Sequence, residues 1–219
     1  MNLKYFFLFL CVFTHSLLGA QVLEGHVQYK IRTTAVDTSK ETIQKVLMFQ
    51  KSKMDIFFMP KKSRIDFDLG GMLYSCIVVD HTIPRGISMN KSAKGAYCVY
   101  LGKNELDFSN KKKDSTSRIE LMNETQEILG FQCKKAILYQ NNEVAIYWYC
   151  PDITVEKSSH PLLNDLLPGF PLSFSTVKEG MRIEYTAVSF IKQLEQKDQV
   201  FSLMVPEGYE LVNNQVQKK

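Results

Sequence analysis

EILGFQCKKAILYQNNEVAIYWYC, residues 127–150, is the stretch whose reading decides the fold. Two alternating runs flank Asn141-Asn142, and asparagine tolerates the left-handed backbone that a two-residue hairpin loop requires. With that pair as the loop, Gln140 and Glu143 exchange hydrogen bonds beside the turn, Lys135 faces Trp148, and Cys133 faces Cys150. Counting outward places the two cysteines at a non-hydrogen-bonded position, where α-carbons approach to about 4.5 Å. Disulfides span roughly 4.4 to 6.8 Å between α-carbons, so a bridge between Cys133 and Cys150 is expected with little backbone movement. The same register puts Phe131, Cys133, Ile137 and Tyr139 on one apolar side with Val144, Ile146, Trp148 and Cys150. Gln132, Lys134, Glu143, Tyr147 and Tyr149 take the other side, which is expected to stay wet. Lys135 is the exception on the apolar side, with its stem laid along the Trp148 indole. That face has two readings, an ordinary core or the wall of a lipid-sized cavity lined by Ile137, Ile146 and Trp148.

Period-two patterning extends in both directions from the hairpin. Residues 23–33 begin the domain, 53–59 and 63–69 pair around Pro60-Lys61-Lys62, and Gly70-Gly71 marks the next turn. Residues 73–80, 85–89 and 96–101 then read as a meander. If its turns lie near residues 82 and 93, Ser88 stands between Cys76 and Cys98, which keeps them about 9.6 Å apart, two strand spacings. Those two cysteines are therefore expected as free, buried thiols. Residues 42–50 are ambiguous, since Ile43, Val46 and Leu47 suit a helix face while 46–49 also suit a strand; the strand is preferred. PLLNDLL, residues 161–167, has the length of a short helix stopped by Pro168-Gly169. Residues 170–176, 181–191 and 201–204 return to strand, and 213–219 read as a disordered tail. The expected architecture is mainly β: about nine to eleven antiparallel strands curved into a half-barrel, with one or two short covering helices.

The N-terminus sets the compartment. Lys4 precedes an apolar run, residues 5–13, too short to span a bilayer, so residues 1–20 read as a signal peptide cleaved before Gln21. Export follows, with residues 21–212 as a single domain. No later run approaches about 18 consecutive apolar residues, so no transmembrane segment is expected after cleavage. Removing the signal takes one unit from the formal net charge of +4. So weak a basicity excludes a nucleic-acid partner, and Lys111–Lys113 reads as a solvated loop.

Catalytic and metal constellations are not found. His26, His81 and His160 are scattered, without HExxH or other ligand spacing, and neither CxxC nor a glycine-rich phosphate loop occurs. Asp80-His81 ends a strand, where a catalytic dyad could sit, yet no G-x-S-x-G elbow accompanies it and a loop pair is the better reading. No enzyme, cofactor or metal is therefore expected.

ILGFQCKKAILY, YWYCPDI, LLPGFPLSFS, MRIEYTAVSFIKQ and FSLMVPEGYELV, with KMDIFFMPKKSRIDFDLGG upstream, resemble the exported domains of unknown function common in Bacteroidetes. Those domains are similar in fold to the LolA-like lipoprotein carriers and border on the GLPGLI family, whose name motif PGFPL matches in part. The resemblance implies a concave apolar side that holds acyl chains, and a place in the periplasm or envelope of a Gram-negative bacterium. Met48, Met54, Met59, Met72 and Met89 would suit such a site because thioethers adapt to irregular ligands, although a core role is the preferred reading for them. Expected partners are lipid or lipoprotein acyl chains, or an envelope protein. The function so implied is non-enzymatic lipid binding, with an envelope interaction or assembly protein as the alternative.

Overall fold

Alternation governs nearly the whole chain, and the computed structural model, which describes residues 22–106, 117–140, 143–155 and 166–212, gathers twelve strands into one sheet. The first meander comprises β1 (Gly25–Ala35), β2 (Ser52–Met59), β3 (Lys62–Leu69), β4 (Leu73–Asp80), β5 (Arg85–Ser92) and β6 (Gly95–Leu101). The second comprises β7 (Arg118–Ile128), β8 (Phe131–Gln140), β9 (Glu143–Cys150), β10 (Phe170–Lys178) and β11 (Met181–Ile191). The spatial order is β12-β6-β5-β4-β3-β2-β1-β11-β10-β9-β8-β7. The two meanders therefore meet at a β1·β11 seam in the middle of an open, curved sheet. A short β12 (Glu210–Leu211) adds in parallel beside Tyr97 and Cys98 of β6. The architecture is mainly β as expected, with one strand more than the range allowed.

The opening hairpin has the expected register. Gln140 pairs with Glu143, Ile137 with Ile146 and Lys135 with Trp148. Asn141 and Asn142 themselves lie outside the described residues, as do the signal segment, most of PLLNDLL and the tail. Two neighbouring hairpins turn on a residue followed by glycine. Leu129 and Gly130 have φ of 52° and 79°, Glu179 and Gly180 have 50° and 74°, and in each the positive pair supplies the twist that two-residue loops favour. Between β4, β5 and β6, Met89 rather than Ser88 stands opposite both Cys76 and Cys98. The conclusion is unchanged, since one strand still separates the two thiols.

Residues 42–50 are not a strand. Lys40–Phe49 form helix α1, and Ser39 Oγ accepts from Thr42 N at 3.2 Å as its N-cap. Thr42, Val46 and Phe49 recur at helical spacing; Thr42 is buried, and Val46 and Phe49 pack against the core, which a period of two would not bring together. Residues 201–204 are not a strand either. They follow the four-residue helix α2 (Lys197–Val200) in an irregular strap, residues 194–209, laid over the sheet.

Three cores result. The largest spans the seam, with Val27, Tyr29, Met54 and Phe58 from one meander meeting Phe131, Cys133, Cys150, Phe170 and Leu172 from the other. Each fully buried apolar side chain contributes about 1.5 to 3 kcal/mol. On the opposite face of the first meander, Cys76, Val78, Ile87, Met89 and Cys98 lie beneath Leu194, Phe201 and Leu203 of the strap. Ala136, Tyr149 and Leu167 form the third cluster. This last cluster corrects the expectation of a wet second face on the β8–β9 hairpin, because Ala136, Leu138 and Tyr149 on that face are buried. The segment that brings in Leu167 comes from outside the hairpin, and alternation within the hairpin cannot register it.

Candidate functional site

On the strap-covered face, charged residues sit in two adjoining rows. His26 pairs with Asp55 at 2.7 Å and stacks on Phe57, with ring centroids 4.0 Å apart. Arg64 binds Asp66 at 3.0 Å, lies 5.7 Å from the centre of the Phe57 ring and donates to the Val200 carbonyl at 3.1 Å. Asp55 and Asp66 face each other across β2 and β3, and each carboxylate has its own partner, the His26 ring for Asp55 and the Arg64 guanidinium for Asp66. A second anchor of the strap is Glu24, which accepts from Lys197 Nζ at 2.6 Å and from Leu194 N at 3.4 Å. The Lys197 contact, opposed by partial desolvation, holds the Glu24 carboxyl below its ordinary range. Burial, reinforced by Asp66, pushes the Cys76 thiol up to about 12. Such a thiol stays protonated at neutral pH and does not act as a nucleophile. These groups fasten the strap.

At the far end of β5 and β6 the strap leaves a cavity of about 540 Å³. Ile83, Tyr100, Leu101, Leu203 and Met204 supply its apolar wall, and among the described residues Arg85 is its only charged lining residue. Gly86, also in the lining, is closely packed from behind: a Cβ there would stand 2.7 Å from the Val78 carbonyl oxygen and 3.1 Å from Leu106. Ile83 is carried on the turn between β4 and β5, which Asp80 holds by accepting from Thr82 N at 2.8 Å and from Lys62 Nζ at 2.9 Å. Asp80 is thereby committed to the turn. The Nε2 of its neighbour His81 is buried without a hydrogen-bond partner in the structure. Among the described residues no group of three His, Cys, Asp or Glu side chains is placed to hold a metal ion. Among them, too, no helix is long and apolar enough to cross a membrane.

Residues 91–206 match the family described as N-glycanase peptide, N-terminal domain. The chain belongs to this family. The match to the N-glycanase N-terminal domain takes in β6 through β11 and the strap as far as Pro206, hence Tyr100, Leu101, Leu203 and Met204 of the cavity, while Ile83 and Arg85 precede it. A solved structure of PNGF-II overlaps 87% of this chain at 14% identity with a TM-score of 0.50. The chain spans only 31% of that protein. An uncharacterized conserved protein from Thermus thermophilus overlaps 88% of this chain and 91% of its own length, at 10% identity and a TM-score of 0.48. For the Mycobacterium tuberculosis lipoprotein LppX the overlap is 81% and 90%, at 11% identity and a TM-score of 0.31. No curated protein matches the sequence. The family reached is the N-glycanase one, whereas the likeness to GLPGLI proteins rests on the sequence motifs alone.

Across the sheet as a whole, the residues expected to line a cavity do not converge. Met54 and Met89 are buried in two different cores on opposite faces of the sheet, and Met59 packs against the second. Met48 on α1 and Met72 at the β3–β4 turn are exposed. Ile137, Ile146 and Trp148 lie half-buried on one face of the hairpin, where Lys135 Nζ stands 5.9 Å from the Trp148 ring and also pairs with Glu124. None of these eight lines the cavity described above. Its residues carry a weak signal in sequence: an isoleucine inside the turn HTIP and an apolar LMV followed by proline. Cys133 and Cys150 are present as free, buried thiols instead of the expected bridge. Each is engaged locally, Cys133 Sγ with the Phe131 carbonyl at 3.7 Å and Cys150 with the backbone of Asp152 and Ile153. Burial, with a smaller contribution from Cys150, pushes the Cys133 thiol up to about 12.

Proposed function

We propose that this chain is a non-enzymatic binding module of the bacterial envelope that takes a lipid or an acylated partner in an apolar cavity. The observation that carries the reading is the recess between the ends of β5 and β6 and the strap, walled by Ile83, Leu101, Leu203 and Met204. Its volume of about 540 Å³ falls within the range of ligand pockets, roughly 300 to 1,000 Å³. Each methylene removed from water contributes about 0.8 kcal/mol, so a short run of them gives useful affinity without an array of polar contacts. The site is thus moved from the hairpin face to the strap end of the sheet. The lipoprotein-carrier likeness, the affinity with GLPGLI domains and export by a signal peptide belong to the same proposal and rest on the sequence motifs.

Native mass spectrometry of the chain purified from its own envelope fraction tests the reading. A co-purifying lipid mass is expected, and its loss in a Leu203→Asp variant would tie it to the cavity. A clean unliganded mass under gentle conditions would overturn it. Family membership favours one other reading, because the family is described as the N-terminal domain of N-glycanases, proteins of which such a domain is a part. On that reading the sheet is an interaction module, and a stoichiometric protein partner without lipid in the same preparation is the outcome that selects it.

A further inference from the structure

Arg85 is the charge that the cavity leaves uncommitted. It is exposed and lines the recess. Across the β4–β5 ladder it stands opposite Asp80, but that carboxylate is already taken by Lys62 at 2.9 Å and by Thr82. The acid nearest the cavity in sequence on its other wall is Glu105, and its Oε2 accepts from Gly102 N at 3.0 Å. Among the described residues Arg85 itself makes no ion pair. A guanidinium at the edge of an apolar recess, with the described acids beside it, Asp80 and Glu105, already engaged, is complementary to a ligand that carries one anionic head on an apolar body.

Size narrows the class further. At roughly 30 Å³ per methylene, about the volume of a liquid water molecule, a recess of about 540 Å³ holds at most about 18 carbons, room for one chain of medium length with its head group rather than for a two-chain lipid. Met204, 78% exposed on the strap, and Leu203 beside it form the wall that a chain entering from solvent would meet. We propose that the cavity takes a medium-chain carboxylate, with the alkyl chain along Ile83, Leu101, Leu203 and Met204 and the carboxylate held by Arg85. This assignment rests on the acyl-binding reading above and adds the charge and the single chain to it.

Titration of the delipidated full chain with decanoate, 1-decanol and acetate, followed by the methyl signals of Met204 and Ile83, tests both layers separately. Decanoate is expected to shift those signals and to bind about tenfold tighter than decanol, the scale of one charge-assisted hydrogen bond, while acetate leaves them unmoved. Arg85→Gln, at an exposed position, should erase the decanoate preference and leave decanol binding as it was. Equal binding of decanoate and decanol to the wild type, or a preference that survives Arg85→Gln, overturns the carboxylate assignment and leaves acyl binding standing. If neither ligand moves the Met204 and Ile83 signals, or if only signals elsewhere move, the site and the acyl reading fall together.

Discussion

Cys133 and Cys150 face each other at a position that the hairpin register fixes, and both are buried as thiols. Burial keeps them protonated at neutral pH, so uncatalysed attack on an oxidant is slow, but the register that pairs Lys134 with Tyr149 brings the two thiols to adjoining positions one step further along β8 and β9. Under a disulfide oxidant the expected product is a Cys133–Cys150 link with Cys76 and Cys98 still alkylatable after unfolding; non-reducing peptide mapping reads the outcome. A Cys76–Cys98 link would contradict the strand order, because Met89 separates that pair. Tyr29 offers a second test at this scale. Its hydroxyl, buried in the seam, donates to the Pro171 carbonyl at 2.6 Å and so joins β1 to β10 across β11. Tyr29→Phe strands that carbonyl without its donor and should cost about 1 to 3 kcal/mol in chemical denaturation, whereas a change below half a kilocalorie would mean that water takes over the bond.

Helix α1 and the strap show where local patterning stops being informative. Residues 42–50 carry both a period of two and a period of 3.6, and what decides is the cap: Asp37 accepts from Ser39 N and Oγ, and Ser39 Oγ accepts from Thr42 N. The Ser39-x-x-Thr42 start is the signal by which the helix is legible in the sequence. Ser39→Ala should remove about 1 kcal/mol of stability by thermal or urea unfolding, with the loss in hydrogen-exchange protection confined to α1. The strap was not legible in the same way, because its apolar residues are spaced to fit a surface made by β2 through β6 and follow no period of their own. Its Glu24–Lys197 anchor makes its hold on the sheet pH-dependent. Glu24 has a folded value below its ordinary one, so the stabilisation is complete above the unfolded value near 4.5 and is lost as the pH falls through the lowered folded value. The melting temperature of the wild type should exceed that of Glu24→Gln at neutral pH and converge with it in acid; a constant gap across the titration would assign the difference to something other than the charge.

At the scale of the molecule, the strands and their registers were readable because each hairpin encodes its own pairing, through turn residues and alternation. Which hairpins sit side by side was a different matter. The β1·β11 seam joins residues near opposite ends of the chain, and no local pattern in either strand names the other. The cavity is hidden for the same reason, since its wall is assembled from the β4–β5 turn, β6 and the strap. That long-range assembly has a thermodynamic consequence. The largest core is shared by both meanders, with Val27, Met54 and Phe58 packed with Phe131, Cys133 and Leu172, so neither meander can bury its apolar face alone. Trp148, the single tryptophan, reports from β9 in the second meander, and far-ultraviolet circular dichroism reports from all twelve strands. The two probes should therefore trace one urea transition with a common midpoint. Separate midpoints would show that the meanders are independent folding units, and would place the cavity, built wholly from the first meander and the strap, on a part of the molecule that folds without the hairpin.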